Sequence, residues 1–462
     1  MARLNRRVLL RRSLSAAVAA SLGRPFLANA AATTVSVWWP QGFVREEDIG
    51  FRAVVDGYEK ASGNKIDFTL IPFAPLMQKI VGALTTGDVP DVMSHDTAPA
   101  TVIPQNAWND KLVDLSDVVE TQKPHYHPTA LLASQYYNNV TKKRSIYYAP
   151  YKTAVLPFHI WNSLVEKAGY KLADAPKTWD AFWDFFKPMQ KKLRDKNTRG
   201  GVYALGLQPT TTGPADGNNM FHYFLVAYGG NGIVTPDGKP HLDDPQVKEA
   251  VIRALTYITT AYKEGYVPPG ALSWNDADDN NALHAKQMIM YLDGTISPEV
   301  ALYHKKEEYD DIVTMGLPLD NAGKQIPAQL GVQGPFIPKG AKNVEVAKDF
   351  IKYLIQPKVT NDYLKTGLGR WLPAMPDLVK TDPFWLDPKD PHVAAYAREG
   401  LLEPTVPTYP VFNPGYAEAN SQQIWGTAEA DVIREGMTPE AAAEKALKRI
   451  GTILAKYPIA QT

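Results

Sequence analysis

Between residues 35 and 93 the hydrophobic positions switch repeatedly between two periods. Val35, Val37, Trp38 and Trp39 form a β-branched and aromatic run that ends at Pro40. Ile49, Phe51, Val54, Val55 and Tyr58 then recur at helical spacing, and Gly63 supplies a stop. Ile66, Phe68 and Leu70 alternate as a strand does, up to Pro72. Leu76, Met77, Ile80, Val81 and Leu84 make a second helical stripe, closed by Gly87, and Pro90 to Met93 reads as a third strand. Strand, helix, strand, helix, strand predicts a parallel sheet with crossover helices. Ligands of such sheets bind beyond the carboxyl ends of the strands. Here those ends carry Trp38, Trp39 and Gln41 after the first strand, and His95, Asp96 and Thr97 after the third.

The same mixture continues to the C-terminus. Thr178 is placed to cap a helix with Trp179, Phe182, Trp183 and Phe186 on one face. Asp244-Pro245 opens a helix carrying Val247, Val251, Leu255, Ile258 and Tyr262, and Thr438-Pro439-Glu440 opens a late one. Strands are expected at Val202 to Leu207 and Met288 to Leu292. The fold class is α/β throughout, with no short-period repeat. Tyr147 to Trp161 and the Gly- and Pro-rich stretch Leu317 to Pro338 read as two crossings between lobes. Two crossings make both lobes discontinuous and favour a hinged pair with a cleft between them. The expected layout is 33–150 and 326–374 in lobe 1 and 153–315 in lobe 2, with 375–462 packing mainly on lobe 2.

Residues 1–30 read as a signal peptide instead of structure. They contain Arg3, Arg6, Arg7, Arg11, Arg12 and Arg24, no acidic residue, a weakly apolar stretch, and Ala28-Asn29-Ala30 as a cleavage pattern. The two arginine pairs resemble the twin-arginine export signal. The chain has 49 basic and 49 acidic residues, so losing this segment leaves a mildly acidic protein without a basic patch for nucleic acid. Cysteine is absent, which excludes zinc-thiolate sites, thiol catalysis, disulfides and a lipid anchor at the cleavage site. A periplasmic location is the expectation. About 430 mature residues exceed one typical core, consistent with two lobes. The 10 tryptophans and 23 tyrosines, with no cofactor motif, suggest stacking surfaces for a flat or sugar-like ligand.

Several segments together resemble family 1 of the extracellular solute-binding proteins, the group containing the maltose-binding protein of sugar importers. They are Tyr58-Glu-Lys-Ala-Ser-Gly-Asn-Lys-Ile-Asp67, Gln78 to Val92, Tyr148-Ala-Pro-Tyr-Lys-Thr153, Trp161-Asn162 with Leu164 to Gly169, Lys177 to Phe182, Ala285 to Gly294 and Asn343 to Leu354. They occur in the family's order. The resemblance implies a two-lobed periplasmic binding fold (type II) that closes over a solute and delivers it to the permease of an ABC importer. One departure stands out: where many members place a stacking aromatic after Asp293-Gly294, this chain has Thr295, Ile296 and Ser297.

The ligand-binding candidates follow from both lines. Trp38 and Trp39 point to opposite faces of their strand, so at most one faces the cleft. Asp96 is placed to accept sugar hydroxyls or to cap a helix. Trp274 stands in a polar loop, where an exposed indole calls for a cover. Tyr151 and Lys152 fall in the first crossing, Gln333 in the second, and Arg370 and Trp371 after the following helix. In the family such crossings line the cleft. Lys152 and Arg370 serve equally well as structural ion pairs. Stacking is assigned to Trp38 or Trp39, Trp274 and Trp371, and hydrogen bonding to Gln41, Asp96, Asp293 and Gln333.

No catalytic residue, cofactor or metal is expected. Asp276, Asp278 and Asn280 alternate as in a calcium loop, but Asn281 stands at its glycine position and Gln287 at its glutamate position. His125-Tyr-His127 lacks a third ligand at sensible spacing. No nucleophile elbow, P-loop or dinucleotide fingerprint occurs. The reading is a monomeric periplasmic receptor for a carbohydrate or polyol. Its alternatives are a binder of an anionic or phosphorylated solute, and an exported carbohydrate-active hydrolase or lyase with a carboxylate pair.

Overall fold

The protein is described as a computed structural model covering residues 32–194, 201–212, 216–275 and 277–459. The expected signal segment, residues 1–30 with its arginine pairs, lies outside the described residues. No helix among those described is long and apolar enough to cross a membrane.

The first sheet follows the predicted alternation. Strands β1 (Thr34–Pro40), β2 (Lys65–Ile71) and β3 (Val92–Met93) run parallel in the order β2-β1-β3. Helices α1 (Arg45–Ser62) and α2 (Phe73–Thr86) connect them. Each helix ends where the sequence says, at Gly63 (φ 77°) and Gly87 (φ 83°). Their left-handed backbone lets each N–H turn back to the carbonyl four residues earlier, a conformation that penalises residues with a Cβ. Phe51, Val54, Val55, Tyr58, Leu76, Ile80 and Leu84 are buried, whereas Ile49 and Val81 flank the two stripes and are exposed.

The chain then passes through β4 (Lys152–Ala154) into a second sheet containing β5 (Phe158–Trp161), β6 (Tyr203–Gly206), β7 (Met288–Leu292) and β8 (Ile312–Met315). Its order is β8-β5-β7-β6, and only the β6–β7 pair is parallel. It returns through β9 (Ala328–Gln329) and β10 (Gly331–Gln333). β10 and β11 (Leu372–Pro373) both pair antiparallel with β4, so Gln333 and Pro373 each lie opposite Lys152. Beyond β10, Phe336 exchanges backbone hydrogen bonds with Met93 and extends the first sheet. Gly334 passes against the Ala149 carbonyl, where any Cβ would collide with it.

Two apolar cores result. One joins Val35, Val37, Phe51, Leu76 and Ile80 to Phe350 and Ile351 of the helix Val344–Leu354. The other joins Phe158, Trp179, Trp183, Phe186, Phe224 and Leu255. The helices 245–263 and 439–454 carry the predicted caps: Asp244 accepts from the backbone N–H of Gln246 and Val247, and Thr438 from Ala441. The described part of the C-terminal segment contributes to both cores, with more of its buried apolar side chains in the second. Val379, Trp385, Val393 and Tyr396 belong to the first core, and Trp425, Ile450 and Leu454 to the second. The share in the first core comes from the proline-dense stretch before residue 412, whose large apolar side chains fill space beside β11.

Candidate functional site

The carboxyl end of β1 opens on a small pocket lined by Trp39, Pro40, Gln41, Gly42, Glu47, Asp48, Asp96, Tyr363 and Arg370. Alternation along β1 separates the two tryptophans. Trp39 is buried, stacks on Phe51 at 4.2 Å between ring centroids, and donates from Nε1 to the Tyr363 hydroxyl at 3.2 Å. Trp38 turns to the opposite face, where the Lys79 ammonium sits 3.9 Å above its ring. Of the pair, Trp39 reaches the cavity, and much of its ring is already committed to the core.

Two buried ion pairs organise this wall. Lys152 Nζ lies 2.7 Å from Asp96 Oδ1 and 3.9 Å over the Trp371 ring. Burial alone would raise the Asp96 carboxyl, but the charge and hydrogen bond of Lys152, helped by Arg370, hold it below its usual range. Arg370 Nη1 donates to Glu47 Oε1 at 3.2 Å, and Trp371 Nε1 donates to the same oxygen at 3.0 Å. Glu47 also accepts from the backbone N–H groups of Phe43 (2.7 Å) and Val44 (3.3 Å) at the start of α1. Its carboxylate thus caps the helix and anchors two side chains that follow the helix Pro357–Thr366. Sequence reading missed Glu47 because a glutamate three residues into a helix is ordinarily a local cap.

The crossings contribute from below. Tyr151 is buried with its ring stacked on Tyr363, 5.9 Å between centroids and 7° between planes. Gln333 is buried and its Oε1 has no hydrogen-bond partner among the described residues. An unpaired buried amide oxygen is costly unless something satisfies it. Trp371 has Lys152 over its ring, so its indole is a support for that ammonium and not an open stacking platform.

The second sheet positions the remaining candidates. Asp293, just beyond β7, is buried and accepts from the Gly294 N–H at 2.6 Å. Burial, and then the neighbouring Asp279, push its carboxyl up to about 8, and His159 opposes the shift. Asp279 accepts from the Tyr291 hydroxyl. The residues after Asp293-Gly294 are Thr295, Ile296 and Ser297, all buried, with Ile296 in the first core, so no aromatic platform stands there. Trp274 is half-buried, leans on the second core, and accepts through its carbonyl from the hydroxyls of Thr210 (2.8 Å) and Thr212 (2.9 Å).

The structure therefore gathers Trp39, Gln41, Asp96 and Arg370 around one cavity and sets Tyr151, Lys152 and Trp371 behind it. Gln333 pairs with Lys152 on the hinge strands, Asp293 belongs to the second sheet, and Trp38 lies on the far face of β1. Tyr363 and Ser297 also belong to this region. Ser297 accepts from Arg370 Nε at 2.9 Å. Neither carries a local sequence signal, since both act through contacts across dozens of residues.

Two crossed lobes with a polar, aromatic-edged cleft define a solute-binding architecture. The bacterial extracellular solute-binding protein family matches residues 53–395, and the chain belongs to it. Among solved structures it is similar to an ABC transporter solute-binding protein of Thermotoga lettingae bound with alpha-D-tagatose. The TM-score is 0.73 at 22% identity, covering 92% of this chain and 100% of that one. The maltose-bound MalE3 of T. maritima gives 0.70 at 18% identity over 91% and 100%. The GacH receptor of Streptomyces glaucescens, solved with acarbose, gives 0.70 at 18% over 92% and 100%. No curated protein matches the chain by sequence.

Proposed function

We propose that this chain is the substrate-binding component of an ABC importer. It takes a neutral carbohydrate or polyol into the interlobe cleft and presents the closed form to the membrane permease. In this reading it is an exported, periplasmic monomer without catalytic activity, and 33–150 with 326–374 closes against 153–315. The observation that carries the choice of ligand is the pairing of charges. Lys152 and Arg370, the cations that an anionic solute would use, already face Asp96 and Glu47. The cleft then offers hydroxyl-binding groups such as Gln41, Asp96 and the Gln333 amide beside the edges of Trp39 and Tyr363. That mixture suits a polyhydroxylated neutral ligand better than a phosphorylated one.

Closure around the ligand is population shift between open and closed arrangements, and the ligand must contact both walls to drive it. Mass spectrometry of the compound that co-purifies with the protein tests the proposal. A neutral saccharide or polyol released one per chain supports it, and a sugar phosphate or other anion refutes the choice of ligand. Conversion of the bound compound by the purified protein would refute the non-catalytic assignment.

A further inference from the structure

Glu399 is a buried acid that the cleft does not use. It lies in the last turn of the helix Pro391–Leu402 and is 2% exposed. Neither of its carboxyl oxygens has a hydrogen-bond partner among the described residues. An ionised carboxylate buried without a partner or a cation is very costly, so the group is held as the neutral acid. Burial, and then the negative charge of Glu403 on the same helix, push its carboxyl well above the usual carboxylate range.

Its position gives the acid something to act on. Two segments connect the two sheets, 155–157 between β4 and β5, and 316–327 between β8 and β9. The turn that carries Glu399 and Gly400 is set against both. The space that a Cβ would fill on Gly316 lies 3.6 Å from Glu399 Oε2. A Cβ on Gly400 would press on Val155 at 3.4 Å and collide with Leu372 of β11. Tyr223, on the helix Asp216–Ala227, accepts from the Leu156 N–H at 3.0 Å and donates to the Gln329 carbonyl at 3.2 Å, so it ties the first connection to β9. The charge of Glu399 acts on the buried hydroxyls of Tyr223 and Tyr396, both held well above the ordinary tyrosine range and therefore neutral near neutral pH. Val155, Gly316 and Leu372 have no titratable side chain. Glu403, Tyr223 and Tyr396 are thus the ionisable groups around Glu399 among the described residues, and none supplies a positive charge.

We propose that Glu399 is a proton-operated wedge between the two connections: the neutral acid lets them pack around it, and once its proton passes to solvent the lobes shift toward an arrangement that admits water to the carboxylate. The shift is a change of population between two arrangements, driven by what each offers the charge. Rising pH thereby opposes closure. The inference rests on the reading of two lobes that close, and not on which solute they take.

A carboxyl raised in the folded state contributes stability that is full below its unfolded value, about 4.3 for glutamate, and is lost as the pH rises through the folded value. The test is solution X-ray scattering and urea denaturation of the unliganded mature protein from about pH 5 to about pH 10, for wild type and Glu399→Gln. The wild-type radius of gyration should grow and its urea midpoint should fall over that range. Glu399→Gln should keep the low-pH radius at both ends and lose less of its midpoint. Glu403→Gln is the second variant should Glu399→Gln fail to fold. It removes the like charge beside the acid, so the expansion should move to lower pH, a displacement that a merely structural residue would not produce. An equal response of the radius to pH in wild type and in the folded variants overturns the wedge. So does a constant radius while the urea midpoint alone responds to Glu399, because the acid is then buried but not coupled to the lobes. Either result leaves the solute assignment standing, since the compound that co-purifies decides that separately.

Discussion

Arg370 Nε donates a 2.9 Å hydrogen bond to Ser297 Oγ while Nη1 of the same guanidinium holds Glu47. Glu47 starts α1 beside the first sheet, whereas Ser297 follows β7 of the second. One side chain therefore ties the helix cap at the cleft mouth to the segment leaving the opposite sheet. Arg370→Ala leaves Glu47 buried without its cation and cuts the tie. The expected cost is about 1–3 kcal/mol of stability, because an uncompensated buried charge is more expensive than the bond is favourable. Solution X-ray scattering of the unliganded variant should give a larger radius of gyration than wild type. An unchanged radius would show that this contact does not hold the lobes together.

Asp91 joins the start of the first sheet to the helix that packs under it. Its Oδ1 accepts from the N–H groups of Lys342 and Asn343, and its Oδ2 from Ser36 N and Oγ and from Asn343 Nδ2. Burial alone would raise this carboxyl, but the hydrogen bonds from Ser36 and Asn343 outweigh it and hold it low. A folded-state pKa below the unfolded value of about 3.9 adds stability above that pH, lost as the pH falls through the folded value. Asp91→Asn should accordingly cost about 2–3 kcal/mol at neutral pH. The deficit should shrink as the pH is lowered below about 4. Urea denaturation at the two pH values checks this, and a deficit independent of pH would contradict it.

Trp274 is half-buried against the second core, so its replacement has two measurable consequences. Trp274→Ala should weaken ligand binding by on the order of 1–3 kcal/mol if the free part of the indole covers the solute. The accompanying loss of packing should stay below the roughly 3–5 kcal/mol that a fully buried tryptophan costs. Calorimetry and denaturation of one variant separate the two effects. Unaltered affinity would remove Trp274 from the site.

The proposed twin-arginine export depends on the arginine pairs. Replacing Arg6, Arg7, Arg11 and Arg12 together with lysine should leave the precursor in the cytoplasm, as fractionation and immunoblotting would record. Normal appearance of the variant in the periplasm rejects the twin-arginine route.

The parts that could be read from the sequence are those fixed by local chemistry. β1 to β3 follow from alternation, α1 and α2 end at the glycines that stop them, and Asp244 and Thr438 cap the helices they precede. Met288–Leu292 is the strand its apolar run predicts. What escaped depends on chain ends meeting in space. Glu47 looks like a local cap until Arg370 and Trp371 arrive from more than 300 residues away. Asp216, Asp279 and Asp293 come together only because three separate elements meet there. Trp39 sits at a strand's carboxyl end, as a ligand-facing residue does, yet stacking on Phe51 places most of it in the core.

The central claim is that the cleft selects a neutral polyhydroxylated solute and releases it unchanged. A thermal-shift screen of the mature protein against sugars, polyols and sugar phosphates tests it most directly, because a ligand at about 100 times its dissociation constant adds roughly 2.7 kcal/mol to stability. At least one neutral saccharide or polyol should raise the melting temperature and be recovered chemically intact, while its phosphorylated counterpart has no effect. A rise confined to sugar phosphates, or degradation of the stabilising sugar, would contradict the account.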